Sequence, residues 1–369
     1  MSGDDAMHER LMSGAAWEDF CDRLKAMGRE VLRDDVPGTP LARAEGFRHL
    51  TRTVVSALQQ VIEFSDPERP IFYQNPSAAV KWGGDNPDNL YQHAAIDGAA
   101  TYRLFGERGT VHDFILSTTA AGPMEAAATG ASKGKEHRVC AELCARDLEL
   151  DPDGRFALWV SPERREGNWL ASHPDVGFLL IRQYFNDWER ERNATFHLVR
   201  EGCEGTAPPP LDAVRMAEML DDAAAWVERL PYWTRMIQRA FAACGANALA
   251  HFGSVRGGAS DISYGQGFFE LAEDEVLLIE TEPPRARYWQ FALGNAWFET
   301  FDYANHQSCL NGHQIRLDAD GVARLVVARR DPRVPNWLDS AGHARGLIQY
   351  RWVWTETDPQ PRARVVPLA

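Results

Sequence analysis

The stretch LDPDGRFALWVSPERREGNWL, Leu150 to Leu170, is followed later in the chain by LDADGVARLVVARRDPRVPNWL, Leu317 to Leu338. Leu317 lies 167 residues after Leu150, and the Asn-Trp-Leu end of the second stretch lies 168 residues after that of the first. Solenoid proteins repeat with periods of roughly 20–50 residues, far shorter than this one. The repeat therefore predicts two β-modules of related structure.

Each end of the repeated stretch has a simple structural interpretation. Asp-x-Asp-Gly between two strands predicts a hairpin turn, because Gly adopts positive φ and Asp bonds to its own backbone. A calcium site would need more oxygen ligands than two carboxylates. In Asn-Trp-Leu we expect the Trp to plug one end of a sandwich and the Asn to fix backbone. The repeat continues in GFLLIR and GLIQYR, where Arg182 corresponds to Arg351.

The remaining pattern indicates fold class. Apolar residues at every third or fourth position predict helices that begin near Trp17, Phe47, Val214 and Trp233, the last running to Ala250. Short aromatic and β-branched runs predict strands: TYRLF, FALWV, GFLLIRQYF, VLLIE, RYWQFAL, WFETFDY, ARLVV and GLIQYRWVW. We predict a mainly β fold with helical segments, built of two related antiparallel jelly-roll-like β-sandwich modules, each preceded by helices.

The domain boundaries follow from the same pattern and from the Ala-Pro-Pro-Pro run at 207–210. We predict an N-terminal helical segment at 1–66 and a first β-sandwich module at 67–206. A Pro-rich linker with helices follows at 207–252, and a second β-sandwich module at 253–369.

Composition excludes several classes of partner. The formal charge of −14 gives no electrostatic footprint for nucleic acid. No apolar run approaches the roughly 20 residues that cross a bilayer, and the N-terminal sequence lacks the features of a signal peptide. We therefore expect a cytoplasmic protein with reduced cysteines, no membrane and no nucleic acid as partners, and no cofactor. A homo-oligomer is left open.

The stretch GVARLVVARRDPRVPNWLDSAGHARGLIQYRWVW, at 321–354, resembles the C-terminal strand-loop-strand of the domain-of-unknown-function family 1214. WGGDNPDNLYQHAAIDGAATYRLFG, at 82–106, resembles segments that recur in members of the same group. The first copy departs from the pattern, since Gly167 stands where the second has Pro335. The resemblance implies a jelly-roll-like β-sandwich related to the domain-of-unknown-function 1254/1214 proteins. It implies no reaction.

WGGDNPDNLYQH, Trp82 to His93, is the densest polar motif of the chain. Its glycines allow close backbone approach, and its aromatic, amide and carboxylate side chains suit a loop that lines a ligand. An elaborate turn is the alternative. The candidate catalytic groups here are Tyr91 and His93, and the candidate substrate-binding residues are Trp82, Asp85 and Asn89, with Arg103 as an anion partner.

WFETFDYANHQSCLNGH, at 297–313, is the corresponding candidate in the second half. A carboxylate beside aromatic rings can have a raised pKa, which suits acid-base chemistry next to a histidine. A satisfied loop histidine is the alternative. The candidate catalytic groups are Glu299, Tyr303 and His306, and the candidate substrate-binding residues are Trp297, Asn336, Trp337 and Arg351.

The sequence contains one possible zinc motif. His137, Cys140 and Cys144 could hold zinc if a helix presented all three on one face together with a fourth ligand. The segment EHRVCAELCARD is instead interpreted as a short amphipathic helix with core cysteines. No metal is expected.

Two functions remain open from the sequence. The first is an enzyme, a hydrolase or lyase, that acts on a small, largely apolar organic substrate by metal-independent acid-base chemistry in a pocket at or between the β-modules. The second is a non-catalytic jelly-roll protein that binds a ligand or carbohydrate, or that self-assembles. A pocket that brings histidine and carboxylate together favours the enzyme, and an exposed aromatic platform favours the binding protein.

Overall fold

A computed structural model of the chain describes residues 3–120, 138–254 and 261–368. Its α-helices are α1 (Gly3–Met12), α2 (Ala15–Met27), α3 (Pro40–Ala57), α4 (Ala213–Val227) and α5 (Leu230–Cys244). The hydroxyl of Thr39 caps α3 by accepting a hydrogen bond from the Ala42 amide at 3.2 Å, and Pro40 occupies the first turn. A π-helical turn, Leu58–Glu63, continues α3.

The first module contains β1 (Tyr73–Gln74), β2 (Asn89–Ala95), β3 (Tyr102–Glu107), β4 (Asp113–Ala120), β5 (Arg138–Cys144), β6 (Arg155–Ser161), β7 (Asn168–Ala171), β8 (Val176–Tyr184) and β9 (His197–Arg200). These strands form a five-stranded sheet in the order β1-β2-β8-β4-β5 and a four-stranded sheet in the order β7-β6-β3-β9. Helices α1 to α3 precede this module in the chain.

The second module contains β10 (Ala248–Gly253), β11 (Ile262–Glu270), β12 (Glu275–Thr281), β13 (Ala286–Gly294), β14 (Cys309–Asn311), β15 (Ala323–Ala328), β16 (Trp337–Asp339), β17 (Arg345–Thr355) and β18 (Arg362–Pro367). Its sheets have the orders β10-β11-β17-β13-β14 and β16-β15-β12-β18. At every position in these two orders, the strand number is nine higher than at the same position in the first module. The two modules therefore have the same sheet topology. The predicted fold class, with its internal duplication, is confirmed.

The repeated motif has the same structural role in both modules. The side-chain amide of Asn168 donates to the carbonyls of Glu149 (2.8 Å) and Ala157 (3.1 Å), and its oxygen accepts from the Glu149 amide (2.8 Å). Asn336 makes the same three bonds to the equivalent backbone groups, at 2.7, 2.9 and 2.8 Å. Strand β7, which begins at Asn168, and strand β16, which begins directly after Asn336, each pair in parallel with the preceding strand, β6 or β15. The Asn thus fixes backbone, as predicted.

The Asp-x-Asp-Gly stretches form the predicted turns. The Gly154 amide donates to the Asp151 carbonyl at 3.0 Å, and the Gly321 amide donates to the Asp318 carbonyl at 2.9 Å. The φ angles of these glycines are 78° and 79°, in the left-handed region that favours Gly. A side chain at either position would strain the turn.

The core of the second module lies between its two sheets. Alternate residues of β13 and β17 point the same way, which places the rings of Phe291, Tyr350 and Trp352 together, with centroids 5.0 to 5.5 Å apart. Leu277 and Leu325 of the opposite sheet are also completely buried in this cluster. Burial of each such side chain stabilises the fold by roughly 1.5–3 kcal/mol.

Three sequence predictions of local structure are wrong. The segment predicted as a helix around Cys140 is strand β5, because it pairs with β4 in antiparallel register, Ile115 opposite Cys144. The helix predicted to reach Ala250 ends at Cys244, and β10 follows it. WFETFDY is a turn rather than a strand, and only Thr300 forms an isolated bridge.

Contacts divide the chain into two compact units. The first comprises 1–80, 90–183 and 192–232, and the second comprises 81–89, 184–191 and 233–369. The short segments at 81–89 and 184–191 lie among the strands of the first module along the chain, but their contacts place them in the second unit. The linear boundaries proposed from the sequence stay a prediction.

Candidate functional site

Within the second unit, the two polar motifs singled out from the sequence meet directly. The carboxylate of Asp85 accepts hydrogen bonds from the Thr300 hydroxyl at 2.7 Å and from the Thr300 amide at 3.2 Å. The Gly84 amide donates to the Phe298 carbonyl at 2.8 Å. The loop at 82–89 and the turn at 297–303 thus form one buried polar cluster.

A buried lysine, missed by sequence analysis, holds the same turn. Lys81 is 3% exposed, and its ammonium donates to the carbonyls of Thr300 (3.2 Å) and Phe301. The ammonium also lies 4.0 Å from the ring centroid of Tyr303. Desolvation raises the pKa of Asp85, and the positive charge of Lys81 opposes that rise. The only sequence signal was a lone Lys before an aromatic-glycine run.

Asp88 organises a second part of the cluster. Its carboxylate accepts hydrogen bonds from the Tyr288 hydroxyl, the Asn311 amide and the Trp188 indole, each at 3.0 Å. Burial raises the pKa of Asp88, and these donors oppose the rise. Burial next to Asp88 likewise raises the pKa of the Cys309 thiol. The sequence pattern indicates the motif at 82–93 but does not single out Asp88, because the partners of Asp88 lie far along the chain.

Glu299, a candidate catalytic group, stabilises a turn. It is completely buried, and its carboxylate accepts a hydrogen bond from the Asn295 side-chain amide at 3.1 Å. The Asn295 oxygen in turn accepts from the amides of Trp297 (2.9 Å) and Glu299 (3.2 Å). Trp297 is 1% exposed, so its ring packs in the interior. Neither side chain reaches solvent in this conformation.

Arg351 ties the loop at 82–89 to strand β17. It is 8% exposed, and one guanidinium nitrogen donates to the Gly84 carbonyl and to the Gln349 side chain at 3.1 Å. Its neighbours across the sheet are Tyr264 on β11 and Gln290 on β13. Asn89 and Trp82 are also buried, and Asn89 accepts from the Asn86 amide at 3.1 Å.

Other candidates in the second unit lie apart from this hydrogen-bonded cluster. His306 is exposed and its Nδ1 lies 2.7 Å from the Asp339 carboxylate. The indole of Trp337 donates to the Ala328 carbonyl at 3.2 Å. The amide of Asn336 is used by the backbone bonds described above. Each has a structural partner of its own.

Tyr91, His93 and Arg103 belong to the first unit. His93, on β2, is 3% exposed and lines a cavity of about 200 Å³. The other residues of the wall are Gln60, Phe64, Ser65, Tyr73, Ala94, Ala95, Gly177 and Phe178. The cavity leaves no pattern in the sequence, because its wall combines the π-helical turn after α3 with three strands. π-helical turns are often found at functional sites.

The chemistry of the cavity wall is uncharged and aromatic. The Tyr73 ring stacks on Phe64, with centroids 4.8 Å apart, and the His93 ring lies 5.8 Å from Tyr73 and 5.7 Å from Phe178. Desolvation, with the positive charge of Arg182, lowers the pKa of His93 to about 3. A contact with the Asn75 backbone opposes this shift, but neither ring nitrogen completes a hydrogen bond of normal geometry within the described residues. His93 is therefore a neutral imidazole at ordinary pH.

The described residues contain no group of three His, Cys, Asp or Glu side chains arranged to hold a metal ion. Cys140 and Cys144 lie on β5, and His137 lies outside the described residues. No helix among the described residues has both the length and the apolar character that a membrane span requires.

Comparison with solved structures identifies a relative over the whole chain. An uncharacterized protein from Burkholderia cenocepacia is 38% identical, with 98% of this chain and 99% of that chain covered and a TM-score of 0.91. The chain belongs to the same family as this Burkholderia protein. The TM-score and coverage show that the two proteins share one fold along their length, so both β-modules are present in the Burkholderia protein as well.

A second solved structure is more distant. The VPA0106 protein from Vibrio parahaemolyticus is 11% identical over 86% of this chain and 96% of that chain, with a TM-score of 0.48. No protein-family model and no curated protein matches the chain. Membership in the domain-of-unknown-function family 1214 stays a prediction.

Proposed function

We propose that the protein binds a small, largely apolar organic molecule in the cavity beside His93. The observation that carries this proposal is a cavity with aromatic, uncharged walls and a buried histidine whose ring nitrogens complete no hydrogen bond of normal geometry with the described residues. A neutral imidazole has one donor and one acceptor nitrogen, and leaving such groups unpaired in the interior costs about 1–3 kcal/mol. A ligand polar group that reaches either nitrogen recovers part of that free energy.

The size and charge of the cavity narrow the ligand class. At about 200 Å³ it is somewhat larger than an engineered apolar cavity of roughly 150 Å³ that binds benzene. Gln60 and Ser65 add polar groups to the wall, and none of the described residues that line it carries a carboxylate or a basic side chain other than His93. These features favour a neutral aromatic or alicyclic compound with one hydroxyl or carbonyl group over an ionic metabolite.

Binding is better supported than catalysis at this position. A general base works best when its pKa lies near the working pH, and the pKa of His93 is about 3. A hydrolase or lyase that uses Tyr91, His93, Glu299, Tyr303 and His306 stays a prediction. The cytoplasmic location expected from the sequence has the same status, and a homo-oligomer stays open.

Titration with benzyl alcohol and with toluene, followed by NMR of the backbone amides, tests the proposal. We expect benzyl alcohol to shift the amides of β2 and β8 and to bind about tenfold more tightly than toluene, the difference of roughly one hydrogen bond. His93→Phe should remove this preference, because both compounds then meet an apolar ring. Ala95→Leu should fill the cavity and abolish binding of both.

Ala99→Leu is the matched control, since Ala99 follows the same strand but is exposed and does not line the cavity. It should bind both compounds as the unmodified protein does. Equal binding by the Ala95→Leu protein, or no binding by the unmodified protein at millimolar ligand, contradicts the proposal.

A further inference from the structure

A second, separate feature of the first module is an open groove on the exposed face of its four-stranded sheet. The groove has a volume of about 790 Å³. Arg103 and Phe105 of β3, Ala157 of β6 and His197 of β9 lie on this face and line it. None of these residues lines the cavity beside His93, so the groove is a distinct candidate site.

The floor of the groove presents an aromatic platform. Phe105 is 38% exposed, and its ring stacks on His197 with centroids 5.4 Å apart and planes inclined by 23°. Phe105 pairs with Ala157 on one side and His197 on the other, so its direct neighbour on β6 is a small side chain. An exposed ring pair of this kind offers a flat apolar surface to a ligand.

The second module provides a comparison at the same positions. Asn168 bonds to the carbonyl of Ala157 as Asn336 bonds to that of Arg324, so Ala157 and Arg324 are equivalent. Arg324 pairs across the sheet with Glu280, which therefore occupies the position of Phe105.

At these positions the second module forms ion pairs instead of a platform. The Arg324 guanidinium contacts Glu280 at 2.8 Å, Asp318 at 2.6 Å and Asp320 at 2.8 Å. The fold itself therefore does not require exposed rings at these positions. The aromatic platform is a particular property of the first module.

The charges of the groove decide between ligand classes. Among the described residues, its lining contains two Arg and three acidic side chains, which are Arg103, Arg155, Glu107, Glu149 and Asp151. This mixture repels neither sign strongly and gives no positive field for phosphates. It offers donors and acceptors in planar groups, which suit a neutral molecule with many hydroxyl groups.

Arg103 is available for such contacts. Within the described part of the chain it forms no hydrogen bond or ion pair, and its side chain is exposed. A guanidinium donates up to five hydrogen bonds in a fixed plane, and the Phe105 ring is two residues away on the same face of β3. The Arg103 guanidinium, which can bind hydroxyl groups, therefore lies next to the Phe105 ring, which can stack on a ligand.

We propose that this groove binds a neutral oligosaccharide, with the Phe105–His197 ring pair stacking against the apolar face of a sugar ring and Arg103 donating to its hydroxyls. The groove volume accommodates more than one sugar ring. This site is independent of the cavity proposed above, and each can fail without the other.

Titration with cellohexaose, maltohexaose, xylohexaose and mannohexaose, monitored by NMR, tests this inference on the full chain. We expect at least one hexasaccharide to shift the amides of β3, β6 and β9. Phe105→Ala should weaken that binding about tenfold, and Phe105→Tyr should retain it because the ring remains. Arg103→Gln should weaken it as well.

Trp17→Ala is the matched control, because Trp17 is an exposed aromatic residue, 59% exposed, on α2 and outside the groove. Its sugar binding should equal that of the unmodified protein, and Phe105→Ala should still bind benzyl alcohol if the cavity is functional. No binding of any hexasaccharide at millimolar concentration overturns the inference. So does equal binding by Phe105→Ala, or a groove that instead mediates self-association, seen as a dimer lost in Phe105→Ala.

Discussion

Asp85 accepts two hydrogen bonds from Thr300, one from the backbone amide and one from the hydroxyl, across a sequence separation of 215 residues. Both side chains are buried, so water cannot replace either bond without a change of conformation. This relationship fixes the loop at 82–89 against the turn at 297–303 within the second unit. It also makes the pair sensitive to conservative substitution.

Thr300→Val is expected to destabilise the protein by about 1–3 kcal/mol, because it keeps the shape of the side chain but removes one donor from the buried Asp85 carboxylate. Urea unfolding followed by tryptophan fluorescence measures the change. Thr51→Val is the control, since the Thr51 hydroxyl bonds to a helix carbonyl in an exposed position. Equal midpoints for the two variants would show that the hydroxyl of Thr300 does not contribute.

Lys81→Met is expected to cost roughly 3–5 kcal/mol, because it leaves the buried Asp85 carboxylate without its nearby positive charge. Adding Asp85→Asn should recover part of the loss, since the amide carries no charge. A double-mutant cycle on the unfolding free energy measures this coupling. Lys25→Met, at an exposed helix position, should leave the free energy of unfolding nearly unchanged; strictly additive effects at 81 and 85 argue against coupling.

The two repeated asparagines allow a matched comparison between modules. Asn336→Ala should be more destabilising than Asn168→Ala, because Asn336 is more deeply buried and adopts a φ of 57°. That left-handed conformation adds about 1–2 kcal/mol for Ala, whereas Gly avoids it. Asn336→Gly should therefore lie between the unmodified protein and Asn336→Ala in thermal unfolding. A reversed order of Gly and Ala would contradict this account.

We expect the free energy of unfolding to fall in acid because of His93. Its pKa is about 3 in the folded protein and near 6.5 in an unfolded chain, so the unfolded state binds the extra proton as pH falls below 6.5. The resulting destabilisation should reach about 2 kcal/mol at pH 5 and continue to grow toward pH 3, with no contribution above pH 7. His93→Phe should remove this component from the free energy of unfolding measured between pH 4.5 and 8. The exposed His8→Phe variant should keep the slope, and an unchanged slope in His93→Phe would refute the assignment.

Most of the fold could be predicted from the sequence, because the features that determine it are short local patterns or occur in both copies of the repeat. The Asp-x-Asp-Gly turns and the Asn-Trp-Leu ends revealed the duplication, and most β-branched runs are strands. The errors occur where tertiary contacts override the pattern. Cys140 and Cys144 have helical spacing, but the segment pairs with β4, and the Asn295 side chain bends WFETFDY into a turn.

The candidate site was predictable only in part. The two motifs that meet through Asp85 and Thr300 were both selected from their polar residues. Lys81 and the Asp88–Tyr288 contact were not, because a buried cation and a contact across 200 residues leave no local pattern. The cavity beside His93 was missed for the same reason, although His93 itself was selected.

The division of the chain into units limits how the modules can be separated. A fragment made of residues 233–369 would contain all the strands of the second module but would lack the segments at 81–89 and 184–191. Tyr288 and Asn311 would then lose the Asp88 carboxylate to which they donate. The two copies are therefore not independent building blocks, and a truncation or recombination between them would divide a buried hydrogen-bond network.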